Sequence, residues 1–435
     1  MAGDVAASPG RWIRLHERSA EALRAASLVL VGLAACTARV ELLPFDPDAA
    51  PDGSIPIGDD ESMDAGPDAV VPPPPPLFPY VSVTSGAFHT CAILDGGGVV
   101  CWGRNESGQL GTGATGDDRS TPVPVANMRS GVQTLASGSD QTCALMDGGN
   151  VMCWGVNEDG QLGNGMAGGN RPFPVSVLGL TNVDAISAGE YHTCALIRGD
   201  VKCWGQNTSG QLGNGTSGGN RAVPVQVVGL SNGVEAIALG EYHSCALLMS
   251  GGVECWGDNE FGQLGNGTKT DSPIPVAVSG LASGVRTIAV GGYHSCALMS
   301  GGDLRCWGLN WYGQLGVGSM MVSSPLPLPV MALMSDVEDI SAGEYHSCAR
   351  TRAGAFLCWG QNSSGQIGDG SMVDRASPIP VTGLMGLPRS SSLGEQHSCA
   401  LFDRGVIECW GDGSAGQLGN GSATNSSTPV VVSAP

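Results

Sequence analysis

Several residue types and patterns are scarce in this chain, and each shortage removes a class of function. Lysine occurs only as Lys202 and Lys269 in 435 residues, and the formal net charge is −20. A surface that neutralises phosphates needs clustered basic side chains, so nucleic acid is excluded as a partner. Aromatic residues make up 5% of the chain, which weakens a lectin that would stack a sugar on an exposed ring in every repeat. Uncharged apolar runs stop well short of the ~20 residues that a membrane-crossing helix needs. Helical periodicity is missing beyond the first 35 residues. No C-x-x-C occurs among the 15 cysteines, so zinc fits poorly.

What is abundant is glycine, with 68 residues, punctuated by 27 prolines. Their distribution is periodic. Cys91, Cys143, Cys194, Cys245, Cys296, Cys348 and Cys399 recur every 51 or 52 residues. Such a period marks a repeat array that closes as one unit. Seven units fill residues 81–435.

The fourth unit shows the design. "EAIALG" and "HSCALLM" read as two strands. The chain turns at "SGG", returns through "VECWG", passes the loop "GQLGNG" and ends in "PIPVAV". Four short strands per unit, seven times over, with little polar alternation in "CAL" and "CWG", predict an all-β, seven-bladed propeller of about 51-residue repeats. The middle strands form a hairpin with its cysteines directly opposed, at a separation a disulfide can bridge. Seven pairs are expected: Cys91 with Cys101, Cys143 with Cys153, Cys194 with Cys203, Cys245 with Cys255, Cys296 with Cys306, Cys348 with Cys358, and Cys399 with Cys409. Only Cys36 is left over.

Residues 1–35 read as an export signal. Arg11, Arg14, Arg18 and Arg24 precede "AASLVLVGLAA", an apolar run of h-region length. The tetrapeptide "LAAC", Leu33 to Cys36, resembles a bacterial lipobox, which makes Cys36 the expected lipidation site. The acids Asp4, Glu17 and Glu21 are untypical of such a leader. Thr37 after the cysteine favours the outer membrane or cell surface by resemblance to Gram-negative sorting. Residues 36–80 hold nine acids and eleven prolines, the composition of a disordered, acidic stalk. An oxidising compartment beyond the signal is where disulfides persist.

The frame G-x-x-H-[ST]-C-A-L … C-W-G-x-N-x-x-G-Q-L-G, seen as "GEYHTCALIRGDVKCWGQNTSGQLGNG" at Gly189 to Gly215, resembles the regulator of chromosome condensation repeat family. The resemblance spans all seven units and implies a seven-bladed propeller. Founding members are chromatin-bound exchange factors for a small GTPase, while propellers of similar repeat type include secreted inhibitors of β-lactamases. Exchange factors insert a β-wedge between strands. With no unit longer than 52 residues there is no room for one, and exchange-factor residues are not carried over.

Catalytic motifs fail on context. "GTGATG" (Gly111–Gly116), "GNGMAG" (Gly163–Gly168) and "GNGTSG" (Gly213–Gly218) match G-x-G-x-x-G, yet none opens a helix after a strand. No catalytic, cofactor-binding or metal site is expected. His89, His192, His243, His294, His346 and His397 occupy one position in six units, with Gln141 in the other. Residues copied in every blade serve the blade, here as turn residues opening the second strand. The "CWG" tryptophans are assigned to the core, and the "GQLG" glycines to positive φ.

Function is sought where copies differ. Glu190, Glu241, Glu344 and Glu395 stand where other units have Ala87, Ser139 and Gly292, and promise an acidic end to the axis. Phe261, Trp311 and Tyr312 replace small or polar residues of the "x-N-x-x-G" loop and are the partner-binding candidates. The expectation is an exported, monomeric propeller, lipid-anchored or alternatively secreted, that acts as a protein-protein interaction scaffold without chemistry of its own. A lectin-like propeller is the first alternative, an exchange-factor-like regulator the second.

Overall fold

The computed structural model describes residues 80–230, 233–320 and 323–435. The expected signal segment, Cys36 and the linker lie outside the described residues. Twenty-eight strands, β1–β28 in chain order, form seven four-stranded antiparallel sheets. Each sheet uses four consecutive strands, so every blade is one sequence repeat. The blades cover residues 80–124, 132–176, 185–226, 234–277, 285–329, 337–380 and 390–431. Among the described residues the one helical element is a 3-10 turn at Asp403–Gly405.

Blade 4 carries the expected strands almost residue for residue: β13 (Val234–Leu239), β14 (His243–Leu248), β15 (Val253–Gly257) and β16 (Ser272–Ala277). Cys245 pairs directly with Cys255 in the ladder, because Leu248 N donates to Gly252 O across a three-residue turn. Blade 3 is one residue shorter. There Ile197 pairs with Asp200, with Arg198 at φ 51° and Gly199 at φ 88°, the two positive values of a type I′ hairpin turn. Both turns bring their cysteines opposite each other. All seven disulfides are formed within blades, with Cα atoms 4.0–4.1 Å apart.

The innermost strands, β1 (Tyr80–Ser85), β5 (Val132–Ser137), β9 (Ala185–Ala188), β13, β17 (Val285–Val290), β21 (Val337–Ala342) and β25 (Ser390–Leu393), touch one another in a closed ring. The core lies between blades. Cys245, Leu247 and Val253 of blade 4 pack with Val285, Ile288 and Trp307 of blade 5. The same arrangement joins Cys399, Leu401 and Ile407 of blade 7 to Val83 and Trp102 of blade 1. All seven "CWG" tryptophans, Trp102, Trp154, Trp204, Trp256, Trp307, Trp359 and Trp410, are completely buried. Each donates its indole N–H at 2.9 Å to the "GQLG" glutamine carbonyl of the preceding blade, from Trp154 to Gln109 round to Trp102 and Gln417. This satisfies the one polar atom of the largest core side chain. Gly213, at φ 64°, is glycine for the same contact, since a Cβ there would press on Trp256 Nε1. The third and second strands sit between neighbouring sheets, which is why "HSCALL" is buried almost throughout whereas the outer "SPIPVA" is partly exposed along its whole length.

Candidate functional site

The loops joining first to second strands and third to fourth strands emerge at the same end of the propeller, as antiparallel order requires. We call this end the Gly-x-x-His face. Its floor is a ring of backbone. Gly240 has no room for a Cβ because the Gly291 carbonyl of the next blade presses on it, and Gly394 is held likewise by Gly86 across the closure. Glu241 N donates to Gly292 O at 3.2 Å and Glu344 N to Gly394 O at 3.3 Å, linking neighbouring loops.

The histidines lie directly beneath and are fully buried. They do open the second strand, but their partner is not their own turn. His243 Nε2 lies 2.9 Å from Ser295 Oγ in the next blade, and His89, His192, His294, His346 and His397 repeat the contact with Thr142, Ser244, Ser347, Ser398 and Thr90. In blade 2, Gln141 Nε2 donates instead to the Gly189 carbonyl at 2.8 Å. Burial keeps the imidazoles neutral, holding His192, His243 and His346 down at about 3 and His294 and His397 at about 4. They are inter-blade clasps. Among the described residues no group of His, Cys, Asp and Glu is arranged to hold a metal.

The acidic end requires correction. Glu190, Glu241, Glu344 and Glu395 are buried, not displayed to solvent. Glu190, Glu241 and Glu344 are each followed by a tyrosine, Tyr191, Tyr242 and Tyr345, which with Tyr293 after Gly292 form a crown not singled out from the sequence; Glu395 is followed by Gln396. Tyr191 stacks on Tyr242 at 5.7 Å and Tyr293 on Tyr345 at 5.9 Å. Gly292 explains how the carboxylates fit: with no side chain in blade 5, the Glu344 side chain occupies the space its Cβ would take. Burial, and then the charges of Glu241 and Glu344, push Glu190 well above the usual carboxylate range, and burial pushes Glu241 up to about 8. Asp258, in the adjoining loop, is raised to about 7 by burial and by Asp271.

Two of the aromatic candidates meet over this crown, and the third joins it alongside. Phe261 packs edge-on against Tyr293 at 5.6 Å and against Trp311 at 5.1 Å, and Tyr312 packs edge-on against Tyr345 at 5.2 Å. Blades 4, 5 and 6 therefore build a continuous run of rings, Trp311, Phe261, Tyr293, Tyr345 and Tyr312. Trp311 stays 52% exposed, whereas Phe261 and Tyr312 are half-buried. The signal for this surface was present in the sequence as "GEYH" and "GGYH", where tyrosine precedes the histidine in four successive units.

Closed blades of four consecutive strands, clasped by a G-x-x-H loop and a buried C-W-G tryptophan, define a seven-bladed propeller of one repeat type. The chain belongs to the regulator of chromosome condensation (RCC1) repeat family. The RCC1-like domain matches residues 170–435, and RCC1 repeats match residues 80–109, 132–161 and 96–145. The chain is 31% identical to the ultraviolet-B receptor UVR8 of Arabidopsis thaliana over 85% of each chain. It is 35% identical to the probable E3 ubiquitin-protein ligase HERC4 of Homo sapiens over 77% of this chain but 32% of HERC4. Among solved structures it resembles human WBSCR16, with TM-score 0.64 and 26% identity over 71% of this chain and 82% of that one. It also shares its fold with yeast RCC1 (Prp20), solved bound to Kap60, with TM-score 0.68 and 23% identity over 82% of this chain and 86% of that one.

Proposed function

We propose that the chain is an exported propeller that binds another protein through the aromatic surface of blades 4, 5 and 6 and performs no chemistry of its own. The carrying observation is the exposure of Trp311 at a loop position where other blades place small or polar residues. A large ring left in water, backed by Phe261 and flanked by Tyr312, has the make-up of an interface anchor. Seven buried disulfides fit an oxidising compartment. Signal residues 1–35, lipidation at Cys36 and an acidic stalk over 36–80 complete the reading, with the propeller a monomer held at the outer membrane or cell surface. The relatives' names point the same way, since yeast RCC1 was solved with a protein bound.

The crown tyrosines also bear on the lectin alternative, because four successive blades do supply a repeated aromatic. One face of each ring, however, is covered by its stacked neighbour, so the four blades do not repeat one free-standing platform for a sugar ring. A photoreactive residue at position 311, compared with one at Met249 on the opposite end, tests the protein-binding reading in the native cell. A discrete crosslinked complex from position 311 alone supports it, and equal labelling from both positions contradicts it.

A further inference from the structure

Among the described residues no cation pairs with the Glu190 or Glu241 carboxyl. Tyr191 and Glu241 lie beside the Glu190 carboxyl, yet neither Glu190 oxygen makes a well-directed hydrogen bond, and Glu241 Oε2 is likewise unpartnered. The ion pairs among the described residues all lie elsewhere, at Arg104–Glu106, Arg119–Asp117, Arg305–Asp303, Arg350–Glu338 and Arg375–Asp369. Buried carboxylates that lack both a cation and a full set of hydrogen bonds are costly, by several kcal/mol each in general.

The crown also has a seam. Tyr191 stacks with Tyr242 and Tyr293 with Tyr345, but among the described residues no ring contact joins Tyr242 to Tyr293. Glu241 lies under that seam, with the hydroxyls of both tyrosines directed toward it. Phe261 packs edge-on against Tyr293 beside the seam, and the Asp258 charge acts on Glu241.

Blade 1 shows what such a position accepts. Arg104 N donates to Phe88 O at 2.8 Å, and Asp258 N donates to Tyr242 O at the same distance. Arg104 and Asp258 are therefore equivalent, as are Phe88 and Tyr242. In blade 1 the guanidinium sits 5.0 Å over the Phe88 ring. In blade 4 the ring remains, the arginine is replaced by an acid, and a buried carboxylate is added below. The repeat carries its own cation in one blade and the complement of a cation in another.

We propose that the seam between Tyr242 and Tyr293, floored by Glu241, receives an arginine side chain presented by the partner protein. This deepens the reading of the same face as a protein-binding surface and rests on it. A guanidinium slides between aromatic faces while its N–H groups reach the unpartnered carboxylate oxygen, a geometry that suits arginine better than lysine. Glu190, Glu344 and Asp258 add negative charge around the seat, and Tyr191, Tyr242 and Tyr293 supply neutral hydroxyls. A cation favours the ionised carboxylates, so docking expels protons near neutral pH and tightens as pH rises.

The test titrates the full chain, at physiological salt, with a short peptide alternating glycine and arginine and with the same peptide carrying citrulline, which keeps the shape and loses the charge. The arginine peptide is expected to bind at least about tenfold more tightly. Glu241→Gln is expected to remove most of that preference, whereas Glu235→Gln, which deletes a charge from the opposite end of the same blade, leaves it unchanged. Calorimetry in buffers of different ionisation enthalpy should show proton release for the wild type at pH 7. Equal binding of both peptides, equal losses in the two variants, or no proton release would overturn the arginine seat. If the peptides fail while position 311 still yields its crosslinked complex, the seat is wrong and the docking face stands. If the peptides behave as expected but position 311 yields nothing, the docking face has been misplaced.

Discussion

His243 Nε2 lies 2.9 Å from Ser295 Oγ in the next blade, and that hydroxyl donates onward to the Gln263 carbonyl at 3.1 Å. The serine has one proton, and it is committed to the carbonyl, so the imidazole must be the donor and carries its proton on Nε2. Gln263 O is also the acceptor for Trp307 Nε1. One relay therefore ties the loop of blade 4 to two strands of blade 5.

Substitution of the clasp has an internal precedent. Gln141 takes the histidine's place in blade 2 and keeps an inter-blade hydrogen bond through its amide. His243→Ala should destabilise by about 1–3 kcal/mol, the cost of leaving a buried hydroxyl short of a partner and opening a void. His243→Gln should cost about 1 kcal/mol or less. Chemical denaturation of the two variants gives the comparison.

The same burial sets the pH profile. Imidazoles held at about 3 to 4 in the fold, at His192, His243, His294, His346 and His397, bind fewer protons folded than unfolded below about pH 6.5, so stability falls on acidification. Glu241, at about 8, and Glu190, raised in the same direction, bind more protons folded than unfolded above about pH 4.5, so stability also falls as pH rises toward 8. Asp258, at about 7, adds to the alkaline limb. Melting temperature should peak around pH 6–7. Glu241→Gln should flatten the alkaline limb by at most ~1.4 kcal/mol per pH unit, and a melting series from pH 4 to 9 reads both slopes.

Alkylation of unreduced protein followed by peptide mass mapping should find no free thiol among the fourteen repeat cysteines and seven linkages within repeats. Each short loop contributes at most about 2.5 kcal/mol in the chain-entropy picture, less where the hairpin already holds its ends together. Full reduction should lower the melting temperature and increase proteolysis at the hairpin turns.

The blades were legible because one period repeats turn chemistry, cysteine opposition and apolar runs together, so a single unit such as 234–277 stands for all seven. The burial of Glu190, Glu241 and Glu344 was not. Side chains that vary between repeats on a loop read as solvent-facing, and their burial depends on how seven loops converge on an axis. The glycine at 292 that makes room for Glu344 has no meaning within its own blade. Nor does the tyrosine seam, which exists only between adjacent units. The aromatic candidates Phe261, Trp311 and Tyr312 could be picked out one by one, while their union with the crown needed the blades to be placed side by side.

Export rests on residues outside the described structure. Cys36→Ser should move the protein from the membrane fraction to the soluble fraction, and mass spectrometry of the wild type should find a diacylglyceryl-modified cysteine at the mature N-terminus. Identical fractionation of both proteins would remove the anchor.

On the proposed reading the aromatic surface serves a partner and not the fold. Trp256 and Trp311 are the natural pair for it, one completely buried with its indole bonded to Gln211 and the other 52% exposed. Trp256→Ala should cost about 3–5 kcal/mol as a cavity in the core. The most direct measurement takes the Trp311→Ala and Tyr312→Ala variants and records thermal melting together with recovery of the crosslinked complex formed in the native envelope. Melting within a few degrees of wild type and a loss of complex corresponding to about 2 kcal/mol or more are expected. A large drop in melting temperature with the complex intact would contradict this reading and assign both rings to the packing of blades 5 and 6.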